Sequence, residues 1–162
     1  MSTFPHDVEF EIVKEGWNEY KLSDGARLRT KLTLGKVITS PGVPPEKALE
    51  YNFNTQMMVV AYCPQDMKGT PSGRVLTPQD IQNSVVEDLD FEQIKTTVNE
   101  YLLQNGVRIK LRLMLTRVGK TNHFNVDGTP LYAVNNQVVP EIKVPSNLQK
   151  AKSSGTTRTP IV

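Results

Sequence analysis

Basic residues recur at alternate positions, as Arg27, Arg29 and Lys31 and again as Arg108, Lys110 and Arg112. They alternate with Leu28 and Leu32 in the first stripe and with Ile109 and Leu111 in the second, which sets a positive face behind an apolar one. A stripe of this kind can track a phosphate backbone. Glu19 and Glu100 fall where a hairpin sets them opposite Arg29 and Lys110, and such cross-strand pairs solvate a sheet surface at about 0.2–1 kcal/mol each. The net charge of +2 gives little nonspecific pull on nucleic acid. The stripes therefore read first as solvated or protein-facing sheet surface, with nucleic-acid contact as the alternative. Trp17 falls on the same outer face opposite Lys31, where an aromatic is often a contact residue. It joins the six cations as a candidate partner contact.

A second candidate set is amidic. Asn54 and Gln56 recur as Asn135 and Gln137, and side chains two apart on a strand share a face. These amides can satisfy a neighbouring backbone edge, or bind a small molecule by hydrogen bonds. Metal and nucleophile chemistry has thinner support. His6 and His123 lack a second His or Cys at ligand spacing, and the one cysteine, Cys63, has no partnered histidine and no disulfide partner within the chain. No phosphate-binding glycine loop, nucleophile elbow or HExxH motif is present. No catalytic residue, metal ligand or cofactor is assigned.

The elements that must position these residues are written twice. Shifted by 81 residues, the sequence aligns with itself without a gap, and 12 of the 30 positions from Val8 to Val37 are identical. Tyr51, Asn54, Gln56 and Pro64 match Tyr132, Asn135, Gln137 and Pro145 in the same register. This predicts a unit over 1–68, a linker over 69–88, a second unit over 89–150 and a flexible tail over 151–162.

Within the first unit Phe10, Ile12, Tyr20, Leu22, Leu28, Leu32, Leu34 and Ile38 fall on even positions, the two-residue period of a strand. Ser23-Asp24-Gly25 and Gln104-Asn105-Gly106 read as three-residue hairpin loops closed by a left-handed glycine. Gly35 and Gly119, inside strands, carry no such demand. Segment 90–104 alone also fits helical spacing, with Phe91, Ile94, Val98, Tyr101 and Leu102 on one side; Gly16 breaks that pattern in the first copy, so both are assigned as strands. A third strand follows in each unit, over about 49–63 and 131–144. Thr77-Pro78 opens a short helix in the linker. The fold expected is all-β: two homologous three-stranded units packed about a pseudo-two-fold into one six-stranded barrel or sandwich.

The longest apolar run is about seven residues, against the ~20 a membrane helix requires. The N-terminal residues lack the basic start and apolar stretch of a secretory signal. A reducing, cytoplasmic setting is the default for one cysteine, and a virus-like particle would read the same way. The function expected is a non-enzymatic structural or assembly protein contacting other protein subunits, itself included. The alternatives are a small nucleic-acid-binding β-barrel and a small-molecule-binding β-barrel.

Overall fold

The computed structural model describes residues 4–48 and 50–145. The alternating segments form β1 (Asp7–Val8), β2 (Phe10–Lys14), β3 (Trp17–Leu22), β4 (Arg27–Ile38) and β5 (Asn52–Tyr62). Helix α1 (Pro78–Asn83) follows. Then come β6 (Val85–Leu89), β7 (Phe91–Lys95), β8 (Asn99–Leu103), β9 (Arg108–Phe124) and β10 (Pro130–Lys143). They build two curled antiparallel sheets of five strands. One has the order β1-β4-β3-β7 with β5 on β4; the other has β10-β9-β8-β2 with β6 on β9. The tail expected over 151–162 lies outside the described residues.

The hairpins take the register their turns dictate. Trp17 faces Lys31 and Tyr20 faces Leu28; Asn99 faces Leu111 and Tyr101 faces Ile109. Gly25 and Gly106 hold φ of 95° and 88°, a region that L side chains avoid. Asp24 Oδ1 and Asn105 Oδ1 accept from the N–H groups of Ala26 and Val107 at 2.9 and 3.2 Å, so each turn is closed by its own side chain. Thr77 caps α1 reciprocally with Asp80, as the Thr-Pro signal predicts. The linker is shorter than expected, because β6 already begins at Val85.

Among the described residues the six-strand arrangement gives way to ten strands in two sheets, because each expected first strand breaks twice, at Glu9 and 15–16 and at Asp90 and 96–98. Beyond the bends at Glu9 and Asp90 the chain crosses sheets: β1 pairs with β4, but β2 pairs with β8, and β6 pairs with β9, but β7 pairs with β3. Each half thus lends an arm to the other half's sheet. Segment 91–103 is two strands, β7 and β8, and not a helix: Tyr101 is fully buried while Ile94 is 58% exposed, so its apolar residues do not share one face.

The crossings give two apolar cores, each built from both halves. Val8, Leu32, Leu34 and Val37 pack with Tyr101, Leu103, Ile109 and Leu113 in one. Tyr20, Leu22 and Leu28 pack with Leu89 and Val118 in the other. Phe10 meets Tyr101 edge-on at 5.6 Å, and Phe91 meets Tyr20 edge-on at 5.8 Å. Among the described residues no helix is long and apolar enough to cross a membrane.

Candidate functional site

On the outer face of the first sheet, strand pairing places Trp17 beside Lys31. The Arg29 guanidinium lies 4.3 Å from the Trp17 ring centroid, the Lys31 ammonium 5.8 Å from it, and Arg27 lies 5.1 Å from the Tyr62 ring. Cations at these distances are held by the ring quadrupoles. The expected Glu19–Arg29 ion pair does not form, although the two residues are register partners. The Trp17 ring takes the guanidinium, and Arg29 Nε is buried without a hydrogen bond.

The other stripe lies on the second sheet and behaves differently. Glu100 faces Lys110 in register but bonds Arg108 instead, at 2.9 Å. Lys110 also has Glu141 beside it, and the exposed Arg112 has Val139. The six cations are thus divided between two sheets. Ion pairs among the described residues are Lys36–Asp7, Arg108–Glu100, Arg117–Asp88 and Lys120–Asp24. Arg27, Arg29 and Lys31 are outside them.

Asn54, Gln56, Asn135 and Gln137 are all exposed, on the outer faces of β5 and β10. Asn135 Oδ1 accepts from Gln82 of α1 at 3.5 Å, which ties the helix to the strand. Asn54 lines a shallow groove with Lys36, Ile38 and Phe53; Gln56 does not. A broader cleft that sequence reasoning missed lies between the 71–76 loop, Ile81, Phe124 and Leu131. Its walls come from loops far apart in sequence, so no local motif announces it. The half-buried Cys63 packs at the edge of the second core. No cluster of three metal-binding side chains occurs among the described residues.

The buried polar groups tie the halves together. Asn18 Oδ1 accepts from the Thr97 N–H at 2.8 Å, and Asn99 Oδ1 from the Gly16 N–H at 3.3 Å. Tyr132 donates to Asp24 at 2.8 Å, and Asn105 donates to the Tyr51 hydroxyl at 2.8 Å. Tyr101 donates to Glu15 at 2.6 Å. Burial, then the adjacent carboxylate, pushes the Tyr101 and Tyr132 hydroxyls far above the usual tyrosine range.

The remaining feature is a sheet edge. Among the described residues, β1, β2, β5, β6, β7 and β10 each pair with one neighbour. An open edge is a template for another strand, and proteins commonly blunt it with charge or proline. β1 carries Asp7, β2 Glu11 and Lys14, β6 Glu87 and Asp88, β7 Glu92 and Lys95, and β10 Pro130, Pro140, Glu141 and Lys143. β5, Asn-Phe-Asn-Thr-Gln-Met-Met-Val-Val-Ala-Tyr, has neither over eleven residues. Met58 is 57% exposed and Tyr62 45%. The missing charge is legible in the sequence, but the edge position is not, because it depends on which strands pair.

No protein-family model matches the chain, and comparison with curated proteins and with solved structures finds no match.

Proposed function

We propose that this is a tandemly duplicated, non-enzymatic structural protein that makes protein–protein contacts, with the β5 edge accepting an extended segment of a neighbouring chain. The observation that carries the reading is the uncharged, proline-free edge of β5 beside five single-sided strands that carry charge or proline. The duplication is supported by contacts that recur at an offset of 81. Glu9 O accepts from the Gln104 N–H at 2.8 Å, and Asp90 O from the Ser23 N–H at 2.9 Å. The two Asn-to-backbone bonds and the two edge-on aromatic pairs follow the same offset.

The test uses a peptide of the β5 sequence, residues 52–62, with lysines added at both ends for solubility. Titrated into the full chain, it is expected to bind and to slow amide exchange in β5. A peptide with proline in place of Val59, and the chain variant Gln56→Lys with Met58→Lys, are expected to abolish both effects. No binding and no protection would remove the edge from the argument.

A second reading, polyanion binding on the outer face of β4, rests on Arg27, Arg29 and Lys31 standing outside the ion pairs. It requires oligonucleotide affinity that falls steeply with salt, because each phosphate contact releases counterions. Changing the three to Gln would then abolish binding.

A further inference from the structure

Building on the edge reading, we infer that the chain lying along β5 is the β5 of a second copy, antiparallel to the first, with Met57 on the two-fold axis. The strand's own sequence selects this partner and register. Antiparallel self-pairing about Met57 sets Gln56 against Met58, Thr55 against Val59, Asn54 against Val60, Phe53 against Ala61 and Asn52 against Tyr62. All eleven residues are paired, and no charged residue meets a like charge. At the flanks Tyr51 meets Cys63 and Glu50 meets Pro64.

Parity excludes the registers shifted by one residue. In those, the inward Met57 would oppose the outward Gln56 or Met58, and the inward Phe53 would oppose Val60 or Tyr62, turning one copy's core face to solvent. Registers shifted by two keep the faces but leave strand residues unpaired at each end. The cations also permit the contact. Arg29 and Lys31 lie one strand back, on β4, so the nearest copies of them are three strand spacings apart. That is about 14 Å, beyond the ~8 Å over which exposed charges act at physiological salt. Identical edges meeting across a two-fold form a closed pair, and the other single-sided strands, each carrying charge or proline, do not extend it into a filament.

Sedimentation velocity of the full chain, from micromolar to hundreds of micromolar, is expected to show a monomer–dimer equilibrium. The Gln56→Lys, Met58→Lys variant, which puts lysines opposite one another twice, should sediment as a monomer with an unchanged circular dichroism spectrum. In a Cys63→Ser background, Gln56→Cys with Met58→Cys should oxidise to a covalent dimer. Gln56→Cys with Val60→Cys should not, because its facing Cα atoms lie beyond disulfide reach. A dimer that survives the lysine variant, or one cross-linked through the second pair, would overturn the proposed seam. A chain that stays monomeric while the β5 peptide still binds would overturn the second copy and leave strand acceptance standing. A monomer that binds no peptide would overturn both.

Discussion

Tyr20 and Tyr101 stand 81 residues apart in matching strand positions, both buried, yet their hydroxyls differ. Tyr101 donates to Glu15 and accepts from Asn99, whereas the Tyr20 hydroxyl is buried beside Thr30 without a hydrogen bond of normal geometry. The residue 81 after Glu15 is Thr96, too short to serve as the same partner. Tyr101→Phe should therefore cost about 1–2 kcal/mol, since it strips a charge-assisted bond and leaves Asn99 short of a partner. Tyr20→Phe should be neutral or slightly stabilising, because it removes an unsatisfied group. Urea unfolding of both variants checks the contrast, and equal losses would contradict it. The same burial governs alkaline stability. Tyr20, Tyr51, Tyr101 and Tyr132 are all held above their ordinary value, chiefly by desolvation. In the unfolded chain tyrosine ionises near pH 10, while in the fold it keeps its proton to higher pH. Stability from these groups is whole below pH 10 and declines as the pH rises above it, because the unfolded chain then gives up protons that the fold retains. Tyrosinate absorbance of these residues should appear together with unfolding; smooth titration in a folded chain would refute this.

At the scale of elements, the hairpins were readable because each carries its own instructions. The alternating apolar residues set the face, and Asp24-Gly25 and Asn105-Gly106 set the turn, so the register followed without tertiary information. Strand positions Gly35 and Gly119 were readable as unremarkable, which holds for one. A side chain at Gly35 would meet Asn54 O at 3.4 Å, an ordinary contact, but at Gly119 it would strike Val85 at 2.8 Å, a contact made by the β6–β9 pairing. Gly25→Val and Gly106→Val should thus cost about 1–3 kcal/mol from backbone strain, and Gly35→Val clearly less. Gly119→Val should be costly for the separate reason of overpacking. Melting temperatures rank the four, and a Gly35 variant as damaged as Gly25 would defeat the assignment. The crossings were not readable, because the bends at Glu9 and Asp90 look like any strand residue and their partners lie in the other half. Asn18 and Asn99 fix the return of each arm by bonding the backbone of Thr97 and Gly16. Asn18→Ala leaves a buried N–H unsatisfied and should cost about 1–3 kcal/mol, with faster amide exchange appearing in β7 before β4. Exchange that rises first in β4 would place the weak point elsewhere.

For the whole molecule, reciprocal exchange of arms means that neither half holds a complete sheet. The candidate surfaces follow from the same arrangement. The cations and Trp17 were found from spacing alone, but their division between two sheets, and the exposure of the β5 edge, depend on where the arms go. β2 and β7 share Phe, Glu and Lys at matching positions, Phe10-Glu11-Ile12-Val13-Lys14 and Phe91-Glu92-Gln93-Ile94-Lys95. They also make matching pairings: Phe10 faces Leu103 and Glu11 faces Leu102, while Phe91 faces Leu22 and Glu92 faces Lys21. An arm of the first kind should therefore fit the place of the second. A chain of residues 4–76 alone has β3 without its neighbour and Tyr20 without the Phe91 ring. It is expected to fold only as a homodimer in which each copy's β2 lies against the partner's β3, an exchange between chains of what now occurs within one. Its unfolding midpoint should rise with protein concentration, as mass action requires when folding and association are one step. Mixing it with residues 77–145 should instead give the one-to-one complex that reproduces the native sheets. A folded, concentration-independent monomer of residues 4–76 would show that the borrowed arm is dispensable.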